Sequence, residues 1–144
     1  FLRQFLHALA RFSSTALVVV RDDLELDESG HRLLSRLRPH LLEQTRCSAW
    51  PGTILLGHKA TAHRYVLNTP VQVSILAASD GLYGWRQPEP PEDLALLRPD
   101  GTTVLASIAH EDDAYLEITE AEHASLAEEV PRITKIVRER TTGT

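Results

Sequence analysis

The sequence predicts an α+β fold: a mainly antiparallel sheet that includes a C-terminal three-strand meander, with helices packed on one face, in a single domain over 1–144. Three observations predict it. Apolar runs at 94–97, 104–109 and 114–118 are short, close together and separated by turn residues, the pattern of strands joined by tight corners. The period then becomes helical at Thr119, where Glu122 completes a capping box and Leu126 and Val130 continue the stripe. A chain of 144 residues, 42% apolar and 24% charged, is large enough for one core and ordinary in composition.

Within the meander, Arg98-Pro99-Asp100-Gly101-Thr102 has the chemistry of a three-residue hairpin loop. Pro presets φ, Asp accepts the next position, and Gly supplies the left-handed residue that closes the loop. That loop sets Leu96 opposite Val104 and Leu94 opposite Ala106. A three-residue corner at Glu111-Asp112-Asp113 sets Ile108 opposite Leu116 and Ala106 opposite Ile118. Both corners agree on one buried face: Leu94, Leu96, Val104, Ala106, Ile108, Leu116 and Ile118. Side chains alternate, so a slip of one residue would send this set to the other face. Thr103, Ser107 and Glu117, beside Leu97, Leu105 and Tyr115, mark the opposite face as half wet or partly covered. Beyond Pro131, Ile133, Ile136 and Val137 supply a second helical stripe.

Earlier in the chain, residues 1–12 read as an amphipathic helix, with Phe1, Phe5, Leu9 and Phe12 on one stripe and Arg3, His7 and Arg11 on another. Ser13-Ser14 ends it. The β-branched run at 15–20 has consecutive apolar residues, which predicts a strand buried on both faces. After a polar turn over 21–27, Ser29 opens a helix that Pro39 kinks or divides. Leu33, Leu34, Leu37, Leu41 and Leu42 are expected inward, and Arg32, Arg36, Arg38 and Arg46 outward as a solvated face. Trp50-Pro51-Gly52 is a turn, and 53–56 with 61–67 reads as a hairpin around Gly57-His58-Lys59-Ala60. Thr69 caps a short helix with Pro70 at its first position and Val71, Ile75 and Ala78 inward. Gln87-Pro88-Glu89-Pro90-Pro91 is an extended crossing into the meander.

Charge narrows the function classes. Between 80 and 130 there are thirteen acidic residues against Arg86 and Arg98, while the flanking segments are each net +3, giving −5 for the chain. An acidic face for a basic protein partner fits this distribution, and nucleic acid does not, because phosphate contacts need a basic surface. No apolar run approaches the roughly 20 residues that cross a bilayer, so no membrane partner is expected. The lone Cys47 excludes an internal disulfide and fits a reducing compartment, hence a cytoplasmic location. Thirteen arginines against two lysines, with many Ala, Leu and Pro, suggest GC-rich bacterial coding.

Two groups of residues invite a functional reading. His110, at a sheet end beside Glu111, Asp112 and Asp113, suits a general base with Glu111 beside it, or a metal ligand. The reading set against both is a histidine that closes the end of the core while the carboxylates stay in water. The spacing lacks the HExxH of helical zinc enzymes, and there is no G-x-S-x-G, P-loop or G-x-G-x-x-G. His58 and His63 are close enough in sequence to meet across the expected hairpin, and Asp93 reads as a turn or cap residue. The second group is Trp50, Tyr83 and Trp85, in loops rich in Pro and Gly. Such residues either anchor loops to the core or stand out as partner contacts, where binding energy concentrates. With Glu111, Asp112 and Asp113 they form the candidate partner-binding set.

Trp85-x-x-Pro88, Pro91-Glu92-Asp93-Leu94, Asp100-Gly101 and His110-Glu111 together span about a quarter of the chain. The Pro-x-Asp-Leu before a strand and the later turn glycine resemble the SMI1/KNR4-like immunity proteins of toxin systems. The family's Asn-Gly turn is Asp100-Gly101 here. The resemblance implies an α+β domain that binds a cognate toxin and carries no catalytic residues, and the acidic segment would suit a basic nuclease toxin. The expected function is therefore a non-enzymatic, protein-binding domain of immunity or adaptor type, with no cofactor and no metal. Two other readings stay open: a small enzyme or metal-dependent domain centred on His110 and Glu111, and a self-associating subunit that forms a homo-oligomer.

Overall fold

A strand that is apolar on both faces must be enclosed on every side. In the computed structural model β1 (Thr15–Arg21) is enclosed in this way, lying between β5 (Ala60–Val66) and β6 (Glu92–Leu97). Outside β5 runs β2 (Leu41–Cys47), and outside β6 run β7 (Thr103–Ile108) and β8 (Asp113–Leu116). The sheet order is thus β2-β5-β1-β6-β7-β8, antiparallel throughout, and its last three strands are the expected meander. The structure describes residues 2–78, 81 and 84–131, without the side chains of Leu2 and His110. The stripe expected at Ile133, Ile136 and Val137 lies outside the described residues, as does Tyr83.

One face carries the four α-helices of the described residues: α1 (Leu2–Leu9), α2 (Glu28–Leu37), α3 (Thr69–Ala78) and α4 (Glu120–Glu129). Leu9, Leu37, Ile75 and Leu126, one from each helix, share a core with Val18, Tyr65, Leu96 and Leu105 of the sheet. Local chemistry sets the helix ends. Thr119 Oγ1 accepts from the Glu122 amide while Glu122 Oε1 accepts from the Thr119 amide, which completes the expected capping box. Asp27, two residues before the expected Ser29, caps α2 by accepting from the Gly30 amide at 3.1 Å. Asn68, not Thr69, caps α3 through the Val71 amide.

Pro39 stops α2 rather than kinking it, and the chain continues as strand β2. Leu42 is therefore exposed, and Arg46 leaves the helix surface to pair with Asp22 across the sheet end at 2.6 Å. The hairpin expected over 53–67 is also absent. Thr53 and Ile54 pair with Ala49 and Trp50 as two short strands, β3 (Ala49–Trp50) and β4 (Thr53–Ile54), while β5 pairs with β1 and β2.

The meander register differs from expectation for two physical reasons. It follows the predicted loop at Leu97↔Thr103, where Gly101 takes φ +87°, and then slips at a bulge that makes Val104 the extra residue. At the second corner, residues 109–111 form a single 3-10 turn closed by Asp112 at φ +49°, so Ile108 faces Asp113 instead of Leu116. The seven-residue face is accordingly divided. Leu94, Leu96, Val104, Leu116 and Ile118 stay on the helix side. Ala106 belongs to the opposite cluster with Ala95 and Leu97, and Ile108 lies beside Gly52.

That opposite face is closed by the β3–β4 hairpin acting as a strap. Trp50 and Leu55 cover Leu17, Val19, Ala95 and Ala106. The turn reaches β7 and β8, since a Cβ on Gly52 would meet Ile108 at 2.8 Å and Tyr115 at 3.3 Å. Starting from the β2–β5 edge, the strap spans three or four strand spacings of ~4.8 Å, which about five extended residues cover. Gly52, at φ +88°, is required there by both conformation and space.

Candidate functional site

Four loops meet at one end of the sheet. The Asp22 amide donates to the Lys59 carbonyl, joining the β1–α2 loop to the foot of β5. The Asp27 amide donates to the Pro88 carbonyl, joining the same loop to the Pro-rich approach. Gln87 strengthens this seam. Its Oε1 accepts from the Arg21 amide at 2.7 Å, and its Nε2 donates to the Leu24 and Glu25 carbonyls at 3.1 Å each. The Gln87 amide donates to Glu92 Oε1 at 2.8 Å.

Asp93 holds the remaining two loops. The residue is 1% exposed. Oδ2 accepts from Trp50 Nε1 at 2.9 Å and from Thr53 Oγ1 at 3.2 Å, both on the strap. Oδ1 accepts from the Ala109 amide at 2.9 Å, the first residue of the acidic corner. Its own amide donates to the Trp85 carbonyl at 2.9 Å. A buried carboxylate is costly unless its lone pairs are used, and three donors use them here. The backbone sits at φ +51°, in the left-handed region that Asp tolerates better than most residues. This places Asp93 at the irregularity in the β1–β6 pairing, between Ala95 opposite Leu17 and Glu92 opposite Val19. The Arg21 guanidinium is held protonated first by its hydrogen bond to Asp23, then against desolvation by the fields of Asp23, Glu92 and Asp93.

Asp93 thus connects three features that the sequence presents separately: the Trp50 turn, the Trp85 loop and the His110-Glu111-Asp112-Asp113 corner. Trp50 and Trp85 are buried on opposite faces of the sheet, which corrects the expectation that they contact a partner directly. Both are loop anchors. Glu111, Asp112 and Asp113 are exposed, and Asp113 Oδ1 accepts from the Ala114 amide at 2.8 Å. The side chain of His110 lies outside the described residues. His58 and His63 have different surroundings. His58 is an exposed loop residue whose field reaches Asp23. His63 is buried in β5, stacked beside Tyr65 with ring centroids 6.3 Å apart. Burial lowers the pKa of His63 and pushes that of Tyr65 up to about 12. Among the described residues, no group of three His, Cys, Asp or Glu side chains converges to hold a metal ion. No described helix is long and apolar enough to cross a membrane.

Ile54 at 77% and Leu56 at 84%, both within the segment expected to form a hairpin strand, are the most exposed large apolar residues among those described. Both lie on the return arm of the strap, and its turn packs against Ile108 and Tyr115 beside the acidic corner. No family model, curated protein or solved structure matches this chain.

Proposed function

We propose that this chain is a non-enzymatic protein-binding domain, of immunity or adaptor type, that offers the loop end of its sheet to a basic protein partner. The observation that carries this reading is the exposure of Ile54 and Leu56 on a strap fixed beside Glu111, Asp112 and Asp113. Apolar anchors near a rim of one charge sign are what a specific contact uses: the anchors supply affinity, and the rim steers a partner of opposite sign. The likeness of 85–111 to toxin-immunity proteins supports a basic toxin as that partner. Asp93 would act by positioning, since it holds the strap and the corner in one arrangement.

Affinity capture from native lysate tests the reading with three proteins: the wild type, the double variant Ile54→Glu/Leu56→Glu, and a variant with Glu111, Asp112 and Asp113 each changed to Lys. A stoichiometric partner retained by the wild type and lost by both variants is expected. Equal capture by all three, or none by the wild type, would remove the loop end as the contact surface.

A further inference from the structure

A strand at the edge of a sheet leaves alternate backbone N–H and C=O groups without a neighbour, so its surroundings show whether the edge is guarded or open. The two edges of this sheet differ. β8 has four residues, and its outward-pointing Ala114 amide is taken by Asp113 Oδ1. β2 has seven, with Leu42 to Arg46 all exposed and neither Pro nor Lys to block it.

Alternation fixes which groups of β2 are free. The Leu67 amide donates to the Ser14 carbonyl, so residues 65, 63 and 61 bond to β1. Residues 64, 62 and 60 then bond to β2 through Glu43, Thr45 and Cys47. The N–H and C=O groups of Gln44 and Arg46 therefore point away from the sheet. This window is bounded on both sides. Before it, the irregularity between Leu41 and Glu43 breaks the ladder. After it, the Ser48 carbonyl accepts from the Leu55 amide as the chain leaves for the strap. The open window is 43–47, and Thr45 is its midpoint.

Charge and conformation select the occupant. Glu43 and Arg46 cancel, and each is already paired within the chain, with Arg64 at 2.8 Å and Asp22 at 2.6 Å. A strongly charged strand gains nothing here. A free peptide would lose its conformational freedom on pairing and would meet only exposed polar side chains at 43–46. A second copy brings the same window already extended, and a two-fold axis makes each contact twice. Such an axis, perpendicular to the sheet and centred on Thr45, sets Glu43 opposite Cys47, Gln44 opposite Arg46 and Thr45 opposite Thr45 of the second copy. No like charges meet, and a pair of threonines is a favourable cross-strand neighbour. Gln44 and Arg46 of each copy complete ladder bonds with Arg46 and Gln44 of the other. An axis at Glu43 or at Arg46 would set like charges face to face, and one at Gln44 would press the irregular Leu42 against Arg46. We infer that two copies of this chain pair antiparallel through β2, Thr45 against Thr45, and so join two six-stranded sheets into one. The pairing uses none of the residues of the loop-end contact.

Sedimentation of the 144-residue protein across a concentration series tests this, with a reversible monomer–dimer equilibrium expected. Thr45→Lys sets two like charges opposite each other and should weaken the dimer on the order of tenfold. Gln44→Pro removes the outward donor and leaves the β2–β5 ladder intact, because Pro is tolerated where the N–H faces out. It should weaken the dimer roughly ten- to a hundredfold, whereas Gln44→Ala should not. Position 45 is exposed, so circular dichroism and thermal midpoint of Thr45→Lys should match the wild type. The register is read by cross-linking. In Thr45→Cys/Cys47→Ser the two thiols face each other across a pair with Cα atoms ~4.5 Å apart, within disulfide reach, and oxidised glutathione should join them into a covalent dimer. Gln44→Cys/Cys47→Ser should stay monomeric under the same oxidation on a denaturing gel. A monomer at every concentration, or a dimer that Thr45→Lys leaves equally tight, would overturn the inference. So would a covalent dimer of the Gln44→Cys protein in place of the Thr45→Cys one.

Discussion

The two faces of the sheet are closed by different means. On the helix face, four helices bring Leu9, Leu37, Ile75 and Leu126 onto Val18, Tyr65, Leu96 and Leu105. On the other face, a hairpin with two-residue strands brings Trp50 and Leu55, and one carboxylate fixes it. The first closure draws on apolar area, which is non-directional and spread over many side chains. The second adds a few directional hydrogen bonds around Asp93 to a smaller apolar cluster, so local opening of the strap is the expected response when those bonds are lost. The contrast matters for function, because the candidate contact residues Ile54 and Leu56 ride on the second closure.

Substitutions on the two faces should separate them. The largest effect belongs to the helix face. Leu96 is fully buried there, and Leu96→Ala should cost about 2–5 kcal/mol, read as a shift of the whole urea transition. A smaller effect is expected on the strap face. Trp50→Phe keeps most of the apolar area but removes the Nε1 donor to Asp93 Oδ2. It should cost roughly 1–3 kcal/mol, mostly as local opening of the strap rather than as a shift of the global midpoint. The smallest effect is a pH response of the helix face. Burial holds the His63 imidazole below its ordinary value of 6.5, so the folded state resists a proton that the unfolded state accepts. Its share of stability is present above pH 6.5 and declines as pH falls through that value. Thermal midpoints measured across this range should show the decline, and His63→Gln should flatten it.

What the sequence made legible is what local chemistry fixes. The Thr119–Glu122 box, the enclosed strand at 15–21 and the Gly101 corner are each written in neighbouring residues. What it hid depends on distant partners. The register slip at Val104 arises where β6 and β7 meet, and no residue beside it signals an extra position. The run at 53–56 has strand composition, yet β5 is taken by β1, more than forty residues earlier in the chain, and by β2, so 53–54 pairs with 49–50. Leu41 and Leu42 continue a helical stripe in composition, but Pro39 removes the backbone geometry that would extend α2. Asp93 was legible only as a turn or cap residue ahead of the first meander strand. Its role required a bulge, a buried tryptophan indole N–H and a corner sixteen residues away to converge.

Hydrogen exchange in wild type and Asp93→Asn tests the separate anchoring of the strap most directly. Asn keeps the shape of Asp and its tolerance of φ +51°, but it turns one acceptor into a donor, facing either Trp50 and Thr53 or Ala109. The amides of 48–57 and of Ala109 should exchange roughly ten- to a hundredfold faster in the variant, while those of β1 and α2 keep their wild-type rates. Uniform acceleration across the sheet, or an unchanged strap, would contradict the idea that one carboxylate holds this face closed.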